Sequence, residues 1–207
     1  MRSKIMPISE GYQKALDMAW DALGPYTVEE LAVAARCETA NDRLVVPLLD
    51  GWVLVDRDPR TIVSDLPENN IFLAIMVLHY LAGCARAPSQ GEESSWLIFR
   101  QLPGGEAFQA AFQKRVVREL ALTFSNDPSQ LVLAGSKLKG RMEGPGACVR
   151  LPFLPRLPVK VIVWPGDDDI PGSANMLFPL RSSQILPTED HSEIGAVVLS
   201  ALRRSLR

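Results

Sequence analysis

Apolar positions along the chain change period several times, and each change marks an element. Tyr12, Leu16, Trp20 and Leu23 recur at helical spacing behind Ser9, which reads as an N-cap, and Gly24-Pro25 stops the pattern. Thr27-Val28-Glu29-Glu30 has the form of a capping box, in which two side chains satisfy two orphan backbone N–H groups. It predicts a second helix to about Cys37, forming a hairpin with the first. The period then shortens. Leu44 to Leu49 and Trp52 to Val55 are β-rich runs on either side of Asp50-Gly51, a pair suited to a two-residue turn with positive φ at Gly51. Pro47 has no N–H to give a ladder, which places the first strand at an edge. Thr61-Ile62-Val63 predicts one more short strand.

From about Asn69 to Gly83 the chain is apolar on nearly every side of a helix, the pattern of a central core helix. Ala85 to Ser95 is small and polar and reads as a surface loop. Trp96 to Phe99 reads as extended, and Leu102-Pro103-Gly104-Gly105 as a turn. From Glu106 a helix sets Phe108, Phe112, Val116, Leu120 and Phe124 on one stripe, and a short helix runs from Ser129 to Ala134. Gly135 to Gly146 holds four glycines and several basic residues and reads as a loop. Ala147 to Phe153, Val159 to Trp164 and Met176 to Phe178 are strand-like, and the prolines between the first two forbid a helical connection. A last helix starts near Thr188, with Arg203, Arg204 and Arg207 at the end where the helix dipole favours cations. Helices and strands intermingle without regular βαβ alternation. The expected class is therefore α+β: mixed helices around a small, largely antiparallel sheet, in a single globular domain over residues 1–207.

Composition narrows the function classes. At 207 residues with 47% hydrophobic and 22% charged positions, the chain can bury a sizeable core. A net charge of -2 gives no basic excess for nucleic acid or an anionic membrane, so neither is expected as a partner. The 3 cysteines, Cys37, Cys84 and Cys148, are odd in number and far apart, which fits free thiols in a reducing compartment. The start Met1-Arg2-Ser3-Lys4-Ile5 lacks the apolar stretch of a signal peptide, and the apolar run Ile71 to Leu78 is too short to span a bilayer. A cytoplasmic location follows as the expectation.

Several motifs fail on chemistry. Gly135 to Met142 has the glycines of a phosphate loop but Arg141 in place of its lysine and Met142 in place of its hydroxyl. Asp167 to Phe178 resembles a calcium loop at its first positions, but Phe178 stands where a bidentate Glu is needed. Gly172-Ser173-Ala174 is no nucleophile elbow. His79 and His191 are the only histidines and are not at ligand spacing, so no metal site is expected from them.

Three constellations carry chemistry. Trp164-Pro165-Gly166 leads into Asp167, Asp168 and Asp169, whose crowded carboxylates can raise one pKa as a general acid requires; the plainer reading is a solvated turn capped by an Asp. Trp96 to Arg100, followed by Gly104-Gly105 at a helix start, offers a guanidinium and exposed amides to an anion. The plainer reading there is core aromatics, an internal ion pair and a simple turn. His79 lies on the face of Phe72 and Ile75, where a core hydrogen bond is its ordinary use; if it lines a cavity it is the best proton carrier in the chain. Cys84 lies about one turn on, with nothing nearby to activate it.

Together, Leu78-His79-Tyr80-Leu81, Trp96 to Gly105, Trp164 to Asp168, Ala174 to Phe178 and Leu186 to Asp190 resemble, in order, an uncharacterised domain-of-unknown-function family of anaerobic bacteria and archaea. The resemblance covers the chain from the central helix to the C-terminus. It implies relatives with an added iron–sulfur module, whose clustered cysteines are missing here, and an association with cofactor-dependent anaerobic metabolism. Pro179 stands where the resemblance implies an acid, which weakens a metal site built with the Asp167 turn.

The leading expectation is an accessory domain holding a small anionic ligand or cofactor, of unknown identity, with Trp96, Arg100, Gly104, Gly105 and Trp164 as binding residues. The alternatives are an enzyme using His79 or one of Asp167, Asp168 and Asp169 as acid or base, with Asp167 and Asp168 the leading candidates of the triplet, with or without a divalent metal, and an interaction domain, such as a homo-oligomer, without pocket chemistry. Convergence of His79, Arg100, Trp164 and Asp167 on one concavity discriminates among them.

Overall fold

A computed structural model describes residues 10–67, 70–87, 95–144 and 146–207. The expected N-cap at Ser9 and most of the Ala85–Ser95 loop lie outside these residues. The helices are α1 (Glu10–Asp21), α2 (Val28–Ala35), α3 (Ile71–Arg86), α4 (Gly105–Phe112), α5 (Arg118–Phe124), α6 (Ser129–Lys137) and α7 (Thr188–Ser205). The strands form two antiparallel sheets: β1 (Glu38–Ala40), β2 (Arg43–Leu48), β3 (Gly51–Arg57) and β4 (Arg60–Ser64) in that order, and β5 (Trp96–Ile98), β6 (Arg141–Met142), β7 (Ala147–Leu154), β8 (Leu157–Trp164) and β9 (Ser173–Pro179) in the order β5-β9-β8-β7-β6. The fold is α+β, as expected, with two sheets where the sequence suggested one.

Local sequence explains most boundaries. The Thr27 capping box forms as read: its hydroxyl accepts from Glu30 N–H at 3.1 Å, and the Glu30 carboxylate accepts from Thr27 N–H at 2.7 Å. Asn70 caps α3 by accepting from Phe72 and Leu73. The anticipated helical hairpin does not dominate; α1 and α2 each pack on α3, which is apolar enough to serve both. A five-residue π segment, Gln113–Val117, joins α4 to α5, so Phe112, Val116, Leu120 and Phe124 are buried while Phe108 falls off the stripe.

The expected β2–β3 hairpin forms, but its turn sits one residue earlier, at Leu49-Asp50, so the register moves by two: Leu44 pairs with Val55 and Val45 with Leu54, where a turn at Asp50-Gly51 would set Leu44 against Arg57. Leu48 pairs with Gly51, and the positive φ falls on Leu49 at 52°. The Leu49 N–H donates to the Phe153 carbonyl of the other sheet, so tertiary contact accompanies a strained loop conformation. Gly51 serves another purpose: a Cβ there would crowd the Asp65 carboxylate, which accepts from Trp52 N–H. Nor is β2 an edge strand. It lies between β1 and β3, but β1 stops opposite Val45, leaving Pro47 with only the β3 side paired. Part of the expected 135–146 loop is ordered, with Gly135 packed on Val149 and Arg141–Met142 paired to β7.

Helices α5, α6 and α7 lie behind the five-stranded sheet, and its inner residues Val149, Leu151, Val159, Val161, Met176 and Phe178 join α3 and the small sheet in one continuous hydrophobic core. Its outer face carries Arg150, Lys160, Ile162, Leu177 and Trp96, all only partly buried.

Candidate functional site

The candidate cleft from sequence does not assemble. Trp96 lies opposite Pro179 and Trp164 opposite Ser173, six positions apart along β9. At about 3.3 Å per residue that places the two tryptophans roughly 20 Å apart along the sheet. Trp164 is 47% exposed at the strand end. Arg100 is bound to Glu106 instead, through Nε at 3.1 Å and NH2 at 2.9 Å, with both side chains mostly exposed. The Gly105 N–H of the Gly104-Gly105 turn is also used internally. Gly104 has φ 74°, as its missing Cβ allows, and the Gly105 N–H donates to Leu102 at 2.8 Å instead of facing an anion. A Cβ on Gly105 would run into the Phe99 carbonyl, so this glycine serves close packing.

The acidic turn is a capped turn. The Asp167 carboxylate accepts from Asp169 N–H at 3.0 Å and Ile170 N–H at 2.7 Å, while Asp168 and Asp169 face solvent. Among the described residues no three acids, cysteines or histidines cluster in a metal-binding arrangement.

His79 has a partner the sequence reading missed. Its Nδ1 lies 2.7 Å from Oδ2 of Asp190 on α7, with His79 33% and Asp190 9% exposed. Nearby, burial raises the pKa of Glu193, against the attraction of Arg115. The second histidine, His191, is fully buried. Its Nδ1–H donates to the Pro187 carbonyl, which leaves Nε2 to accept from the Ser182 hydroxyl at 2.8 Å. Burial lowers the His191 pKa, against the Pro187 bond and the Asp190 charge. Ser182 is itself buried, so this pair ties α7 to the preceding turn and presents no accessible nucleophile. Burial pushes the Cys84 thiol up to about 11, and Cys37 likewise to about 11, so neither is an activated nucleophile at neutral pH.

The concavity lies elsewhere, where the two sheets meet. A groove of about 880 Å³ is lined by Arg36, Lys139, Arg141, Arg150, Arg156 and Arg181, and Glu143 is the one acid among its described lining residues. Pro47, Pro152, Pro155, Pro158 and Pro179 form much of its wall. Prolines lack N–H, so recognition there falls to charged side chains. Pro152 and Pro158 are accommodated because the β7–β8 pairing shifts between Leu151 and Leu154.

Register concentrates charge at the groove, with Arg141 and Arg150 lining it and Lys160 joined to it through Glu143. Arg141 lies opposite Arg150 and Arg150 opposite Lys160, three cations side by side across three strands. Like charges directly opposite one another destabilise a sheet. Glu143 offsets part of this, at 3.2 Å from Arg150 NH1 and 2.8 Å from Lys160 Nζ. Burial pushes the Glu143 carboxyl up, but the bonds from Lys160 and Arg150 outweigh it and hold the pKa below the ordinary value. Lys160 Nζ also lies 4.1 Å, and the Arg150 guanidinium 5.6 Å, from the centre of the Trp96 ring. Arg141 and Lys139 have no ionic partner among the described residues. Of the residues picked from sequence, only Trp96 borders this cluster. The alternation of polar positions in β7 and β8 exposes Arg150 and Lys160, but nothing in the sequence states their register with Arg141.

A family model described as a domain of unknown function (DUF3786) matches residues 27–201. No curated protein and no solved structure matches the chain. No helix among the described residues is long and apolar enough to cross a membrane.

Proposed function

The chain belongs to the DUF3786 family, a domain of unknown function, and we propose that it binds a small anionic ligand in the basic groove between its two sheets. The ligand class is a molecule with at least two phosphate or carboxylate groups. The observation that carries this reading is the row Arg141, Arg150 and Lys160 at directly opposed positions, which costs folding stability and has Glu143 as its one acidic partner among the described residues. A rigid proline wall and the Trp96 ring beside the cations suit a preformed site, where little entropy is lost on binding. The test is a thermal melt with pyrophosphate or citrate against sodium chloride of equal ionic strength, for wild type and Arg141→Ala. Binding at a hundred times Kd adds about 2.7 kcal/mol to stability. A specific rise in Tm that Arg141→Ala abolishes supports the groove; the same rise in both proteins defeats it.

A second reading is an enzyme using His79 as acid or base. The Asp190 contact favours it, because a carboxylate on Nδ1 fixes the tautomer and leaves Nε2 for proton transfer. His79 does not line the groove. If His79→Gln abolishes turnover in an activity screen of the purified protein while the groove variant retains it, this second reading holds.

A further inference from the structure

Glu143 occupies a position that an incoming anion would need. Its two carboxylate oxygens are divided between two cations, Oε1 toward Arg150 and Oε2 toward Lys160. It follows β6 on the short link to β7, and its backbone N–H donates to the Cys148 carbonyl at 3.0 Å, so the β6–β7 connection holds the side chain at the groove. The carboxylate is about one third exposed, open enough to swing away. The positively charged neighbours Arg141 and Lys139 lie on the same rim.

Resting on the groove reading above, we propose that Glu143 is a tethered competitor: ligand binding exchanges the Glu143 carboxylate for a ligand anion between Arg150 and Lys160. The site therefore selects ligands whose anionic group out-competes an intramolecular carboxylate, which favours phosphate dianions and multiply charged carboxylates over single monoanions. A monocarboxylate gains no charge in this exchange, whereas a dianion gains one.

The exchange predicts that removing the tethered charge strengthens binding. Isothermal titration of pyrophosphate, citrate and acetate into wild type, Glu143→Gln, Glu143→Ala and Lys139→Ala separates the outcomes. Each variant is first checked for a cooperative melt. The inference expects pyrophosphate or citrate to bind both Glu143 variants about tenfold more tightly than wild type, a factor equal to about 1.4 kcal/mol. It also expects acetate binding to be detectable only in those variants. Unchanged or weaker binding of the Glu143 variants, while wild type binds and Lys139→Ala weakens it, overturns the competitor role and leaves the groove reading standing. Loss of a cooperative melt in both Glu143 variants overturns it too, by making the residue a structural anchor. Absence of binding to wild type and every variant overturns both.

Discussion

Replacing Arg156 tests how the groove floor is built. Arg156 sits in the β7–β8 turn, and its NH1 donates to the Ala34 carbonyl at 3.0 Å and the Cys84 carbonyl at 2.9 Å; NH2 reaches Ala87 at 3.4 Å. These are carbonyls near the C-terminal ends of α2 and α3, where intrahelical partners run out and the dipole favours a cation. Two well-placed bonds to a charged donor are worth about 1.5–3 kcal/mol each. Arg156 is only partly buried, so water recovers some of that, and the longest bond adds little. Arg156→Ala is thus expected to cost about 2–4 kcal/mol, a large part of the 5–15 kcal/mol typical of a domain. Urea unfolding followed by far-UV circular dichroism reads this as a lower midpoint at unchanged slope. Arg156→Lys, which keeps the charge but loses the planar fork, falls between. A cost below about 1 kcal/mol for Arg156→Ala would refute the clamp and show that solvent serves those carbonyls as well.

Phe112→Ala removes a ring stacked 4.0 Å from Phe99 and packed on Gly195, and should cost about 3–5 kcal/mol in the same assay; a near-wild-type midpoint would show that the core is misplaced. Arg100→Ala breaks only an exposed pair and should cost less than about 1 kcal/mol, without weakening pyrophosphate binding; a larger loss, or lost binding, returns Arg100 to the site. His191 has a folded pKa below its ordinary 6.5, so the unfolded chain takes up its proton first. Its contribution is present above pH 6.5 and is lost as pH falls through the lower folded value. Wild type should lose stability over that window, while His191→Gln should lose less of it; parallel pH profiles would remove His191 as the cause.

Sequence alone determined the elements with local causes. The capping box at Thr27, the apolar helix holding Leu78 and Tyr80, the existence of a hairpin between the Leu44 and Val55 runs and the capped turn at Asp167 all follow from neighbours within a few residues. Side-chain spacing and hydrogen-bond reach act over that range, so the pattern carries them. The site was less legible. Arg100 and Trp164 each have a local signature suggesting exposure to a ligand, yet one is satisfied by Glu106 and the other stands at the far end of the sheet. The Leu49 turn was missed because its positive φ occurs where the loop bonds to Phe153, more than a hundred residues on. The groove was decided by tertiary structure. Arg141, Arg150 and Lys160 become neighbours through strand register, Asp190 meets His79 only when α7 packs near α3, and Arg156 finds its carbonyls only where two helices end beside one turn. Such contacts depend on which elements meet, and the hydrophobic core that brings them together is specified collectively instead of residue by residue.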